Sequence, residues 1–89
     1  MVTAIILINV ERHRVNELAE QLAGVRGISE VYSVSGTYDL IAIVRVESTD
    51  ALAELVTGHL LKFDGIEKTE TLLAFKAYSR HDLEAMFSL

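Results

Sequence analysis

Gly36-Thr37-Tyr38-Asp39 puts an aromatic ring and a carboxylate on a turn just before a solid apolar run, Leu40-Ile41-Ala42-Ile43-Val44. A carboxylate at the mouth of a buried strand is costly unless something pairs with it. The ammonium group of an amino acid would be such a partner. Gly36 lets backbone N–H or C=O groups come close to a ligand and can take a positive φ, and Tyr38 could wall the pocket. The same stretch also reads as a tight hairpin with solvated tips. Further along, Thr69-Glu70-Thr71 sets two hydroxyls at i and i+2 on one strand face, with Glu70 on the other. Hydroxyls so spaced could bind a small polar ligand, although threonine is also simply a good strand former.

Other chemistries find little footing. His13, His59 and His81 include no pair at the i, i+4 spacing of a helical zinc site, and no cysteine can join them. There is no glycine-rich dinucleotide loop, no phosphate loop and no nucleophile elbow; Ser35-Gly36-Thr37 is too short to count as any of these. Asp39 and Glu70 could form an acid pair, but nothing in the sequence brings them together. Glu11-Arg12-His13-Arg14 reads as the solvated start of a helix, and His59 as a boundary residue. No cofactor and no metal are expected.

These residues must be positioned by six elements. Val2–Val10 is a first strand, so continuously apolar that both of its faces should be buried. A helix follows from Glu11 to Ala23, with Val15, Leu18, Ala19 and Leu22 at helical spacing and Gly24 as its stop. A second strand opens at Gly27-Ile28 and runs to Val34, and a third spans Tyr38 to Val46. Ser48-Thr49-Asp50 gives a hydroxyl cap and an acid in the first turn of a second helix. That helix carries Leu52, Leu55, Val56, Leu60 and Phe63 on one face and ends at Gly65. A fourth strand is expected from Ile66 to Tyr78, and Asp82–Phe87 reads as one last helical turn. Residues 1–80 thus form one domain and residues 81–89 a tail. The chain echoes itself: Gly27-Ile28-Ser29-Glu30-Val31 follows the first helix and Gly65-Ile66-Glu67-Lys68-Thr69 the second. Two βαβ halves in the order βαββαβ predict an α+β, ferredoxin-like fold: a four-stranded antiparallel sheet with both helices on one face.

Two helices cover only one side of such a sheet. Yet Ile5-Ile6-Leu7-Ile8 and Leu40-Ile41-Ala42-Ile43-Val44 must alternate between faces, so half of these side chains would meet water in a monomer. Apolar residues make up 51% of 89 residues, and a chain this short buries only about 60–65% of its unfolded surface. Both facts predict a second copy packed sheet against sheet, a dimeric α+β barrel. The net charge is −5 and no basic stripe is present, which argues against direct nucleic-acid binding. The apolar run Ala4–Ile8 is far too short to span a membrane and has no basic lead-in, so neither a signal peptide nor a transmembrane helix is expected. The absence of cysteine fits a cytoplasmic protein.

Taken together, Val34-Ser35-Gly36-Thr37-Tyr38-Asp39-Leu40, the acidic helix start Ser48-Thr49-Asp50 and Gly65-Ile66-Glu67-Lys68-Thr69-Glu70-Thr71 resemble the ligand-binding half of the Lrp/AsnC family of amino-acid-responsive transcription regulators. This half is called the RAM domain (regulation of amino-acid metabolism). The resemblance runs from Val2 to about Tyr78. Family regulators carry an N-terminal helix-turn-helix domain, whereas this chain starts at the first strand, so it resembles a stand-alone RAM domain. The resemblance implies a face-to-face dimer, dimers closing into a ring such as an octamer, and an amino-acid effector between neighbouring dimers. Carried over by position, Gly36, Tyr38 and Asp39 would line that site, with Thr69 and Thr71. A full-length homologue is an implied partner. Two other readings compete. A small dimeric α+β-barrel enzyme would need a titratable group facing the sheet cavity, and only Asn9, Arg45 and Glu47 are on offer, all near strand ends. A ligand-free assembly partner of a full-length regulator would need no site at all.

Overall fold

In a computed structural model of the chain, which describes residues 1–78 and 80, the unbroken apolar run Val2–Val10 forms β1. It lies inside the sheet, flanked on both sides. The remaining elements are α1 (Val15–Ala23), β2 (Ile28–Ser33), β3 (Leu40–Val46), α2 (Thr49–Gly58) and β4 (Ile66–Leu73). The sheet order is β2-β3-β1-β4, with every neighbouring pair antiparallel. This is the ferredoxin-like arrangement the βαββαβ pattern predicts.

Alternation along β1 and β3 divides the apolar residues between two faces. Ala4, Ile6, Ile8, Leu40, Ala42 and Val44 are fully buried against Leu18, Leu22, Leu52, Leu55 and Leu60. Each Leu, Ile or Val so buried contributes roughly 1.5–3 kcal/mol. Ile5, Leu7, Ile41 and Ile43 take the opposite face and are only half-buried, because none of the described helices covers that side.

Several boundaries differ from the sequence expectation. The first helix does not begin at Glu11: a 3-10 turn, Arg12–Arg14, precedes α1. Glu11 is extended and its N–H donates to the Gly65 carbonyl at 2.9 Å, so the chain is still bound to the start of β4 when the helix would start. α2 begins as expected, with the Ser48 hydroxyl accepting from the Ala51 N–H at 3.1 Å. It ends at Gly58, and Leu60–Lys62 make a separate 3-10 turn that drives Leu60 into the core. β4 stops at Leu73 rather than Tyr78. The last β1–β4 ladder pair is Ala4–Leu73, and the Ala74 N–H still donates to the Thr3 carbonyl at 2.9 Å, one residue short of the start of β1 at Val2. The expected helical turn at Asp82–Phe87, and His81, lie outside the described residues.

Candidate functional site: the turn before β3 and its neighbours

The turn is shaped at Gly36, whose φ of +122° is a conformation that L side chains rarely adopt. It is closed by the Val34 N–H, which donates to the Asp39 carbonyl at 3.0 Å. Asp39 then joins the end of the sheet twice. Its own N–H donates to the Ile8 carbonyl at 3.0 Å, and its Oδ2 accepts from the Val10 N–H at 2.9 Å. β1 runs two residues past its last β3 partner, the Ile8–Leu40 pair, and the β1–β4 register shifts between Asn9 and Val10. The half-buried Asp39 carboxylate therefore supplies an acceptor where the ladder is irregular. Oδ1 makes no hydrogen bond among the described residues.

Tyr38 reaches across the end of β1 to β4. Its hydroxyl donates to Glu70 Oε1 at 2.7 Å, and Lys68 Nζ lies 5.9 Å from its ring centroid. The hydrogen bond to Glu70, with partial desolvation and the carboxylate charge, holds the Tyr38 phenol above its usual pKa.

Cross-strand partners share a face, so the register separates the β4 candidates. Glu70 is opposite Leu7 and Lys68 opposite Asn9, both on the uncovered face. Thr69 is opposite Ile8 and Thr71 opposite Ile6, on the helix side, where Thr69 is half-buried and Thr71 exposed. The structure thus brings Gly36, Tyr38 and Asp39 together on one turn and adds Glu70 and Lys68. It leaves both threonines on the reverse side of the strand. Sequence reasoning does not single out Glu70 and Lys68 for this site. Alternation puts them on one face, but only the β1–β4 register brings that face beside Tyr38.

The uncovered face is apolar at its centre and polar at two corners. Tyr38, Glu70 and Lys68 hold one. At the other, the Tyr32 hydroxyl donates to the Glu30 carboxylate, and Arg45 Nη1 lies 3.8 Å from Glu30 Oε1. Arg45, which with Asn9 and Glu47 the central strands offer to an enzyme reading, is thus paired with a carboxylate and exposed. Among the described residues, no group of three or more His, Asp or Glu could hold a metal ion. His13 and His59 are both exposed, and no described helix is long and apolar enough to cross a membrane. A cleft of about 480 Å³ opens at the opposite end of β3, lined by Arg26, Gly27, Arg45, Leu55 and His59 among others. It includes none of the turn residues.

Residues 3–83 match the family described as the Lrp/AsnC ligand binding domain. A crystal structure of TTHA0845 from Thermus thermophilus is similar at 48% identity with a TM-score of 0.84, covering 90% of this chain and 100% of that one. The HTH-type transcriptional regulator YugG of Bacillus subtilis, itself uncharacterized, is 33% identical over 84 residues, which are 91% of this chain and 50% of YugG. A transcriptional regulator of Neisseria meningitidis, NMB0573, solved as a complex with L-Met, shares the fold at 14% identity and a TM-score of 0.80, over 89% of this chain and 53% of that one. The chain spans about half the length of the curated relatives it matches. Those relatives are transcriptional regulators rather than enzymes, which sets aside the α+β-barrel enzyme reading. By its matched residues and its fold, the chain belongs to the Lrp/AsnC ligand-binding domain family.

Proposed function

We propose that this chain is an oligomeric, amino-acid-sensing regulatory module. Two copies pack open sheet face to open sheet face, and dimers close into a ring such as an octamer. A free α-amino acid binds near the Gly36–Asp39 turn, where two dimers meet. The observation that carries this reading is the turn itself. Gly36 holds a positive φ although a side chain there would meet no heavy atom of the chain within 4 Å, so the fold leaves backbone open to an incoming group. Tyr38 walls that opening and Asp39 orients it, one carboxylate oxygen being held by Val10. Thr69 and Thr71 contribute from the reverse face of β4, toward the neighbouring dimer. An apolar centre framed by polar corners is the anatomy of a protein interface and supports the sheet-on-sheet dimer. The setting is cytoplasmic. With a net charge of −5, this domain leaves DNA contact to another domain or to a full-length homologue in a mixed assembly.

Sedimentation and calorimetry test the two halves separately. The chain should sediment at twice its 9.9 kDa mass or more at micromolar concentration, and a species of single-chain mass would refute the dimer. Titration with the common α-amino acids should give saturable heat for at least one of them. Asp39→Asn should weaken that binding by about 1.5–3 kcal/mol if the charge bonds the ammonium, and Gly36→Val should abolish it with the dimer intact. A dimer that binds no amino acid would instead identify a ligand-free assembly partner.

A further inference from the structure

Past Leu73 the chain leaves the sheet and places its most exposed aromatic residues in succession. Phe75 is 99% exposed and Tyr78 82% exposed, after Leu72 and Leu73 at 42% and 47%. After the Ala74–Thr3 hydrogen bond, the segment lines one side of an open cleft of about 390 Å³ beside the start of β1, with Thr3, Leu73, Phe75 and Lys76 among its lining residues. A phenylalanine left almost wholly in water within a single copy forgoes its burial energy. The segment also combines aromatic rings with cations. Lys76 lies 5.1 Å from the Tyr78 ring centroid, Arg80 follows, and residues 74–80 contain no carboxylate, whereas the chain as a whole carries −5. A basic, aromatic arm on an acidic body is complementary to another copy of that body. It also leaves the sheet from β4, an edge strand whose outer side pairs with no strand among the described residues and whose Leu72, opposite Ile5, belongs to the uncovered face. The arm is therefore continuous with the surface on which the dimer reading rests.

We infer that residues 74–78 form a docking arm whose occupied site is on a second copy of this chain, with Phe75 as its buried anchor. The inference rests on the dimer proposed above and adds a contact that the sheet faces alone do not make. In a twofold pair each copy gives one arm and receives one, so the contact closes and does not propagate. The arm also covers the exposed end of β4, which would otherwise be open to edge-to-edge pairing.

The chain contains no tryptophan, so Phe75→Trp makes residue 75 the sole indole emitter. Its emission should move to the blue, and become resistant to iodide quenching, as the protein is raised through the concentration at which sedimentation shows dimer forming. Phe75→Ala should raise the dimer dissociation constant at least tenfold with an unchanged circular dichroism spectrum. Water-exposed emission at concentrations where the protein sediments as a dimer would overturn the arm and leave the dimer standing. So would a blue shift independent of concentration, which would place the residue on its own body. A chain of single-copy mass at every concentration would overturn the dimer and, with it, the arm.

Discussion

Three positive-φ glycines, Gly27, Gly36 and Gly65, precede strands of this sheet, and Gly65 and Gly36 are held in opposite ways. At Gly65, before β4, φ is +100°, and an added Cβ would lie 2.8 Å from Arg14 Nη1 and 3.1 Å from Leu18 Cδ1. The Gly65 carbonyl accepts from the Glu11 N–H, and Arg14 Nη1 donates to the Asp64 carbonyl at 2.9 Å. Interior and backbone partners account for that glycine completely. At Gly36, before β3, φ is +122° and an added Cβ would meet nothing within 4 Å. Both turns demand a conformation suited to glycine, but only at Gly65 does the chain's own packing also demand the missing side chain. At Gly36 the chain's own packing makes no such demand, and the proposed ligand site is placed at that turn.

The largest expected effect is at the packed turn. Gly65→Ala combines left-handed strain with overpacking against Arg14 and Leu18 and should cost roughly 3 kcal/mol. In a domain of this size that lowers the melting temperature by more than about 10 °C. The Arg14 guanidinium can swing away, so Arg14→Ala combined with Gly65→Ala should return part of the steric cost and none of the backbone cost. Thermal melts of the four proteins in this cycle check both statements. Full recovery in the double variant would erase the backbone part of the contrast.

An intermediate effect is expected where the open turn is anchored. Asp39→Ala removes the acceptor of the Val10 N–H and should cost about 1–3 kcal/mol. Asp39→Asn keeps an oxygen in place and should cost much less. Urea unfolding measures the difference, and hydrogen exchange at the Val10 amide localises it. If Asp39→Ala is neutral and Val10 stays protected, the carboxylate is not holding the strand end.

The contrast between the turns also explains what can be read from the sequence. Order and type of all six elements follow from periodicity, because the doubly apolar β1 and the amphipathic helices each have one way to bury their residues. Strand ends are less legible. The apolar pattern carries β4 to Tyr78, yet the strand ends at Leu73, close to the first residues of β1, and where the partner strand begins is not written in residues 74–78. The turn residues Gly36, Tyr38 and Asp39 are legible as a constellation. That Asp39 Oδ2 is engaged by Val10, and that Tyr38 chooses Glu70, depends on a register that no local pattern encodes. Thr69 and Thr71 are recognisable as a pair on one face, but which face is decided by the Ile8 and Ile6 pairings.

The smallest effect on stability, and the sharpest test, belongs to Gly36→Ala. A methyl group there clashes with nothing in the chain, so the whole cost is that of holding an L-residue at positive φ, about 1 kcal/mol. The melt should fall by a few degrees, against the larger drop expected for the same substitution at Gly65. Amino-acid binding, measured by calorimetry on the same preparation, should fall far more than stability does, because the methyl group occupies the space at the turn that the fold leaves open. The ratio of the two losses is the discriminating quantity. A large stability loss with unchanged binding would make Gly36 a turn glycine of the same kind as Gly65. A small stability loss with binding abolished would mark the turn as shaped for a ligand and not for the fold.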